Sequence, residues 1–262
     1  MRSRESLDDL ASWALKRGEA LVTLAEAPLT RRELEDEIDI SRTTSHRIVR
    51  GLEDRGRLAR SGNDLVLTAL GRSVAGEVER YESNVAAAVR LEPFLTAVEE
   101  REVSVPIEHF ADARVTVAGQ GTPYRPVRRF MELLRGTETL CGFDTTTIAP
   151  MYVDEIREEI LGGMTTDIVY LPPVANQIVS EYPEKVRPAI ESGRLTLRVA
   201  DELPFGLAIF DDRVGLGGYD DTTGMLIAFV DTDEPAAREW AHDVYESYRE
   251  RATVLTDWHD EF

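Results

Sequence analysis

The chain has 262 residues, enough for one large domain or two smaller ones, and 42% of them are apolar. It has one cysteine, Cys141, which excludes an internal disulfide and a multi-cysteine metal cluster. No apolar run approaches membrane-spanning length and no signal peptide opens the sequence, so we expect a cytoplasmic protein without membrane contact.

The formal net charge of −19 is unevenly distributed. Residues 1–90 hold 15 basic and 16 acidic side chains, whereas residues 91–262 hold 15 and 33. Among the 30 basic residues only Lys16 and Lys185 are lysines, and this composition resembles that of proteins from extreme halophiles. The asymmetry predicts two modules with different partners.

The first 40 residues predict two helices. Apolar residues recur at helical spacing from residue 7 to about residue 24, and Pro28 ends this pattern. Thr30, with Glu33 three residues later, forms a capping-box pattern that predicts the start of a second helix. Residues 39–40 then make a short turn into a third helix, which is the order of a helix-turn-helix unit.

The stretch from residue 41 to residue 52 predicts a helix with one buried and one basic side, and Ser41 stands at its N-cap position. The expected buried residues, at helical spacing, are Ser45, Ile48, Val49 and Leu52. Between residues 41 and 60, six arginines and two acidic residues give a net charge of +4. A basic helix face in so acidic a chain indicates an anionic partner, and DNA is the obvious one.

A small β-hairpin should follow the glycine stop at Gly56, because strand-like residues 58–61 and 65–68 flank the turn residues 62–64. Helix, helix, helix and hairpin is the order of a winged helix-turn-helix domain. The residues SRTTSHRIVRGLEDRGRLAR and NDLVLTALG resemble the recognition helix and wing of archaeal and bacterial winged-helix transcription factors. The resemblance covers about residues 7–75, with one departure at Ser45, where that family usually buries an aliphatic residue.

This resemblance implies that the exposed N-terminal half of the third helix enters the major groove of double-stranded DNA, while the wing contacts the backbone or the minor groove. The residues expected to contact bases are Arg42, Thr43, His46 and Arg47. The residues expected to grip phosphates are Thr30, Arg31, Arg32, Arg50, Arg60 and Asn63, and Ser41 is placed in the same interface. The alternative is a solvated helix face whose arginines pair with neighbouring acids.

Residues 69–104 predict a linker that begins with a long helix reaching about residue 90. Its apolar residues advance by 4, 3, 4 and 3 positions: Val74, Val78, Tyr81, Val85 and Ala88. Such a seam suits dimerisation, because two winged modules on a two-fold DNA site need a fixed separation. The alternative is a helix that packs on its own module.

Strand and helix patterns alternate in residues 105–252. The predicted strands are 113–118, 138–143, 167–171 and 194–200, and the predicted helices between them are 125–134, 151–161 and 174–190. This alternation predicts βαβ units and a mixed, largely parallel sheet. Three further strands, 207–210, 213–216 and 225–230, predict an antiparallel meander at the sheet edge, and helix 234–251 closes the domain.

The closing block LPFGLAIFDDRVGLGGYDDTTGMLIAFVDTDEPAAREWAHDVYESYRERA resembles the effector domain of archaeal regulators, including the family named for a methanogenesis and filamentation regulator. Such domains look distantly like the phospholipase-D-type α/β fold. The predicted organisation is a winged helix-turn-helix domain of the α+β class (1–68), a linker and dimerisation helix (69–104), an α/β effector domain (105–252) and a polar tail (253–262).

Motifs for catalysis are missing from the sequence. It has no GxSxG elbow, no Walker A loop and no HxK motif of the phospholipase-D kind. Cys141 lies inside an apolar strand, where packing is a more frequent role than nucleophilic attack. We therefore expect no enzyme activity, no cofactor and no metal.

Polar residues follow the predicted strands at their carboxyl ends, where open α/β sheets bind ligands. The candidate ligand-binding residues are Gln120, Thr122, Arg125, Asp144, Thr145 and Thr146. Their hydroxyl and carboxylate groups suit a sugar-like metabolite, and Arg125 at a helix start suits an anionic group. The alternative is that these residues only cap helices and form turns.

Together these features predict a homodimeric, sequence-specific DNA-binding transcription regulator that a small metabolite controls through the C-terminal domain. Two alternatives remain open: a chromatin-type DNA-binding protein without sequence preference, and an enzyme whose winged helix mediates protein contacts.

Overall fold

The computed structural model describes residues 7–98, 104–147 and 149–255, and the chain divides into two compact units, residues 1–86 and residues 87–262. The first unit contains α1 (Leu7–Leu15), α2 (Gly18–Glu26), β1 (Leu29–Thr30), α3 (Arg31–Glu37), α4 (Arg42–Asp54), β2 (Leu58–Ser61) and β3 (Asp64–Leu67). Helix α5 (Ala69–Ala97) begins in the first unit and ends in the second. None of the described helices is long and apolar enough to cross a membrane.

The prediction of one continuous helix over residues 7–24 is wrong, because the helix is interrupted between α1 and α2. Arg17 has non-helical dihedral angles (φ −124°, ψ 13°), and α2 starts at the buried Gly18. A Cβ atom at Gly18 would lie 2.9 Å from a methyl group of Val78 on α5 and 2.6 Å from the carboxylate of Glu82. Gly18 thus allows the N-terminus of α2 to pack closely on α5.

Both predicted helix caps are confirmed. The hydroxyl of Thr30 accepts a hydrogen bond from the backbone N–H of Glu33, and the Glu33 carboxylate accepts one from the Thr30 N–H, which completes the capping box of α3. The hydroxyl of Ser41 accepts a hydrogen bond of 3.2 Å from the N–H of Thr44 at the start of α4.

The predicted hairpin is confirmed as β2 and β3, which pair antiparallel with Leu58 opposite Leu67 and Ser61 opposite Asp64. Strand β1 adds to the other side of β3, so the three-stranded sheet has the order β1-β3-β2. One apolar core joins the helices to this sheet. Ser45 is fully buried on α4, and its hydroxyl has no hydrogen-bond partner among the described residues.

Helix α5 is longer than predicted, because it continues beyond residue 90 through Pro93 to Ala97. Proline removes one backbone donor from a helix interior, but the buried Leu91 and Phe94 on either side anchor this segment in the core of the second unit. Of the predicted apolar seam, Val78 is buried and packs in the core of the first unit. The first part of the seam therefore packs within the chain.

The second unit is built on one eight-stranded sheet. Its strands are β4 (Arg114–Val117), β5 (Thr139–Asp144), β6 (Thr165–Tyr170), β7 (Leu195–Val199), β8 (Gly206–Ile209), β9 (Val214–Tyr219), β10 (Leu226–Thr232) and β11 (Thr253–Val254). Its helices are α6 (Arg125–Leu134), α7 (Val153–Gly162), α8 (Pro172–Glu181), α9 (Pro183–Glu191) and α10 (Pro235–Arg249). The predicted single helix over 174–190 is two helices, because Pro183 cannot donate a backbone hydrogen bond.

The strand order is β11-β7-β6-β5-β8-β9-β10-β4. The prediction of a largely parallel sheet is wrong: only β5–β6 and β6–β7 pair in parallel, and the other five pairings of the described strands are antiparallel. The predicted edge meander, β8 to β10, lies inside the sheet, because β8 pairs with β5 and β10 pairs with β4. Its strands are accordingly buried almost throughout.

Two apolar cores cover the two faces of this sheet. The C-terminal end of α5 and helix α10 contribute to one core, and helices α6, α7, α8 and α9 contribute to the other. From the pairing directions, the carboxyl ends of β4, β5 and β9 and the amino ends of β8 and β10 all meet at one edge of the sheet. The candidate ligand-binding residues follow β4 and β5 at this edge.

Candidate nucleic-acid interface and ligand pocket

The N-terminal half of α4 presents the four candidate base-contacting side chains to solvent: Arg42, Thr43, His46 and Arg47 are all exposed. On the opposite side of the helix, Val49 and Leu52 are buried. The Ser41 cap fixes the first turn, and the buried side fixes the rotation of the helix. The backbone that carries the exposed side chains is therefore held in place.

The structure divides the expected phosphate-binding residues into two groups. Arg31 lies 3.4 Å from the Glu35 carboxylate, Arg50 lies 3.8 Å from that of Asp54, and Arg60 lies 2.7 Å from that of Glu53. These three arginines therefore pair with local acids, as the alternative predicted. The pairs of Arg50 and Arg60 are exposed, and exposed pairs are weak and exchange readily. No ion pair involves Arg32, Arg42 or Arg47 within the described part of the chain, and Asn63 is exposed at the hairpin tip.

A cluster of three arginines around Trp13 was not predicted from the sequence. The guanidinium groups of Arg17 and Arg55 lie 4.6 Å from the centre of the Trp13 ring, and that of Arg57 lies 5.5 Å from it. Burial lowers the pKa of Arg17, and the positive charges of Arg55 and Arg47 lower it further. The cluster therefore adjoins the basic face of α4.

The sequence pattern predicted only an apolar role for Trp13, since this residue fits the helical pattern of α1. The signal available in the sequence was the spacing of Trp13 and Arg17, which are four residues apart. In the structure the Arg17 guanidinium donates a hydrogen bond of 3.0 Å to the Trp13 carbonyl. The positions of Arg55 and Arg57 depend on the turn after α4, and no local pattern reveals their approach to α1.

A pocket of about 460 Å³ opens at the sheet edge described above, within the second unit. Of the six candidate ligand-binding residues, the structure brings two, Asp144 and Thr146, into its wall. Gln120, Thr122, Arg125 and Thr145 are not among the lining residues. The backbone of Thr122 bonds to that of Gly119 in a tight turn, so the capping-and-turn alternative describes that loop.

Asp144 lies at the end of β5 and has three hydrogen bonds from neutral donors. One carboxylate oxygen accepts from the backbone N–H groups of Thr145 (2.7 Å) and Thr146 (3.2 Å), and the other accepts from the Tyr219 hydroxyl (2.7 Å). Burial raises the pKa of Asp144 to about 6, although the bond from Tyr219 and the two backbone bonds oppose this rise. Burial, together with the charge of Asp144, holds the pKa of Tyr219 well above its usual value, so Tyr219 remains a donor.

The pocket wall also contains residues that were not predicted. Gly206 and Gly217 are opposite each other on β8 and β9, and the Tyr219 ring passes over both. A Cβ atom at Gly206 would lie 3.0 Å from that ring, and one at Gly215 would lie 2.3 Å from the ring of Phe229. The glycines therefore admit aromatic rings against the sheet, which only the pairing of β8 with β9 reveals.

Comparison with known protein families gives a match for each part of the chain. Residues 4–90 match the family model described as the HVO_A0261 N-terminal domain, a segment that includes α4 and the β2–β3 hairpin. Residues 123–251 match the family model described as the middle domain of the methanogenesis regulatory protein FilR1. This second segment contains every residue that lines the pocket. No curated protein matches the chain.

Several solved structures are similar in fold. TrmBL2, described as an archaeal chromatin protein with a novel mode of DNA binding, is 18% identical with a TM-score of 0.45, over 95% of this chain and 100% of that chain. The phospholipase D family member Nuc from Salmonella typhimurium is 13% identical with a TM-score of 0.42, over 55% of this chain and 98% of that chain. NucT from Helicobacter pylori is 12% identical with a TM-score of 0.41, over 55% of this chain and 98% of that chain. At these low scores the likenesses carry no inference about what this chain binds.

Proposed function

We propose that the chain is an archaeal transcription regulator that binds double-stranded DNA through α4 and the β2–β3 hairpin, in the manner of a winged helix-turn-helix domain. The observation that carries the proposal is the exposed, capped N-terminal half of α4, where Arg42 and Arg47 have no acidic partner among the described residues. The match of residues 123–251 to a domain of a methanogenesis regulatory protein supports the regulatory role.

In this proposal α4 enters the major groove with its N-terminal half. Arg42 and Arg47 present forked donors that suit guanine, while Thr43 and His46 contact neighbouring base edges. Arg32 and the hairpin tip at Asn63 contact phosphates, and the arginines paired with local acids join them by exchanging one anionic partner for another. Arg17 extends the basic surface beyond Arg47, since the two charges already influence each other.

The second unit supplies regulation in this proposal. Its pocket is large enough for a small metabolite, and it lies in the segment that matches the regulatory family. A ligand that binds one arrangement of the protein more tightly than another shifts the population toward it, and the affinity for the DNA site changes accordingly.

A second copy of this chain is the partner we propose for α5. Tyr81, Val85 and Val89 lie four residues apart on one helix face and are 54%, 46% and 65% exposed. Helix α5 carries three basic and four acidic residues, so its charge is near neutral in a chain of −19. An apolar face on a nearly neutral helix suits self-association, which the strongly acidic surfaces elsewhere would resist.

We propose that the protein acts by binding and not by catalysis. Burial raises the pKa of Cys141 to about 12, so its thiol stays protonated and is a poor nucleophile at neutral pH. Within the described residues no three His, Cys, Asp or Glu side chains are grouped in a way that suits a metal ion.

The DNA proposal is tested with the full chain, first by selecting binding sites from random double-stranded DNA and then by measuring affinity at fixed salt. Replacing Arg47 by Ala removes one guanine contact and should cost about 1–3 kcal/mol, or about 5- to 150-fold in affinity for the selected site. Arg80→Ala is the matched control, because Arg80 is an exposed arginine of α5 paired with Glu77.

If Arg47→Ala binds the selected site with unchanged affinity, the proposed base contact of α4 is wrong. Equal affinity of the wild type for the selected site and for a scrambled duplex would instead support the chromatin-type alternative, in which phosphate contacts alone hold the protein.

A further inference from the structure

The charge inside the pocket is of one sign. Of the described residues that line it, Asp144 is the only one with an ionisable acidic or basic side chain at neutral pH, and no lysine or arginine is among them. An anionic ligand would bring a second negative charge against this carboxylate, with no cation in the wall to offset the repulsion. The anionic metabolite expected from the sequence depended on Arg125, which does not line the pocket.

The other strand aspartates of the second unit are neutralised by arginines. Asp231 of β10 accepts hydrogen bonds from Arg129 at 2.8 and 2.9 Å and from Arg213 at 3.1 Å. Asp167 of β6 accepts hydrogen bonds from Arg198 at 2.7 and 3.0 Å. Asp144 is the exception among the described strands of the second unit, because its three hydrogen bonds come only from neutral donors.

Asp144 also retains capacity for another donor. A carboxylate has about four acceptor positions, and three are used, two on one oxygen and one on the other. Protein surrounds the side chain, yet it remains partly exposed because it faces the open pocket. A donor arriving through the pocket would therefore reach an oxygen with a free lone pair.

The remainder of the wall is mostly apolar, and its further polar side chains are uncharged: Thr146, Thr147, Gln177, Tyr219 and Thr223. Rings from Tyr124, Phe130 and Phe229 line it, together with proline and aliphatic side chains. The Tyr219 ring lies over Gly206 and Gly217 and adds a further aromatic surface to the wall. A wall of this kind binds an apolar body, and the single carboxylate orients one polar end.

We propose that this pocket binds a small apolar molecule, aromatic or aliphatic, that carries a protonated amine, with the ammonium group on Asp144 and the apolar body against the aromatic rings of the wall. A divalent metal ion fits less well, because it needs several oxygen ligands and the wall supplies one carboxylate. The inference rests on the proposed regulatory function, since it names the class of effector for that same pocket.

Three probes with one indole ring and different tails test the ligand class: tryptamine, tryptophol and indole-3-acetate. Isothermal titration calorimetry on the full, DNA-free chain at pH 7.5 should show tryptamine binding at least tenfold more tightly than indole-3-acetate, with tryptophol in between. Asp144→Asn should reduce tryptamine affinity about tenfold and change tryptophol affinity less than twofold. Asp243→Asn removes an exposed carboxylate of α10 that does not line the pocket, and it should change none of the three.

Tighter binding of indole-3-acetate than of tryptamine would overturn the inference. So would a tryptamine preference that survives in Asp144→Asn, or the absence of binding by all three probes at millimolar concentration. None of these results touches the DNA proposal, because binding to the selected duplex is measured separately on the same variants. Conversely, a chain that prefers tryptamine through Asp144 but has no DNA affinity would leave the pocket inference standing and overturn the proposed function.

Discussion

Replacing Asp144 by Asn should make the second unit more stable at neutral pH. The pKa of Asp144 is raised from 3.8 to about 6 in the folded chain, a difference of roughly two units, and each unit corresponds to about 1.4 kcal/mol. The folded pKa lies above the unfolded one, so the folded state holds the proton more tightly. The stabilisation from this proton is complete below pH 3.8 and is lost as the pH rises through 6.

Between pH 3.5 and pH 7.5 the wild type should therefore lose about 2–3 kcal/mol of unfolding free energy relative to Asp144→Asn, with the lower value allowing for solvent in the pocket. Asn keeps an oxygen for the backbone donors of Thr145 and Thr146, so the variant should fold. The difference between the two proteins cancels the titration of the other acids, which both share.

The assay is urea unfolding followed by the fluorescence of Trp240, which packs against Phe110 and Phe205 in the core of the second unit. A background with Trp13 and Trp258 replaced by Phe leaves Trp240 as the only tryptophan. A stability difference that does not change with pH would refute the reasoning, since it would mean that Asp144 titrates alike in the folded and unfolded chains.

Two further predictions concern the sheet and α5. Asp231→Asn should destabilise the second unit by about 3–5 kcal/mol in the same assay, because Asp231 is fully buried and two arginines depend on it. Asp233 has a side chain that is 73% exposed, and among the described residues it pairs only with Arg213, so Asp233→Asn should cost less than about 1 kcal/mol. Val85→Glu should shift the chain from dimer to monomer in sedimentation equilibrium without changing its helix content, whereas a wild type that is already monomeric would refute the dimer proposal.

The parts of the fold that depend on neighbouring residues were predictable. The caps at Thr30 and Ser41 and the turn between β2 and β3 each result from contacts within four residues, and the sequence places them correctly. Helix α6 begins and ends where its apolar period does, from Arg125 to Leu134. Local chemistry is sufficient for these elements because no distant partner decides them.

Strand order was not predictable in the same way. Strands β8, β9 and β10 have the short turns of a meander, but nothing in them shows that β4 covers one side and β5 the other. The residues that meet in the pocket could not be predicted for the same reason. The sequence predicted Asp144 just after a strand, and the structure makes it the last residue of β5. Its bond to Tyr219 joins residues 75 positions apart and depends on the β5–β8–β9 pairing.

The arginine-rich, acidic composition bears on how much phosphate contacts and base contacts each contribute to the proposed DNA affinity. If the protein operates in molar salt, as that composition suggests, the gain from releasing counterions at phosphates is small, and the exposed ion pairs of Arg50 and Arg60 are screened. Affinity for DNA must then depend more on direct base contacts, above all on those proposed for Arg42 and Arg47. A carboxylate enclosed by protein is screened far less, so the pocket around Asp144 can distinguish a cation from an anion under the same conditions.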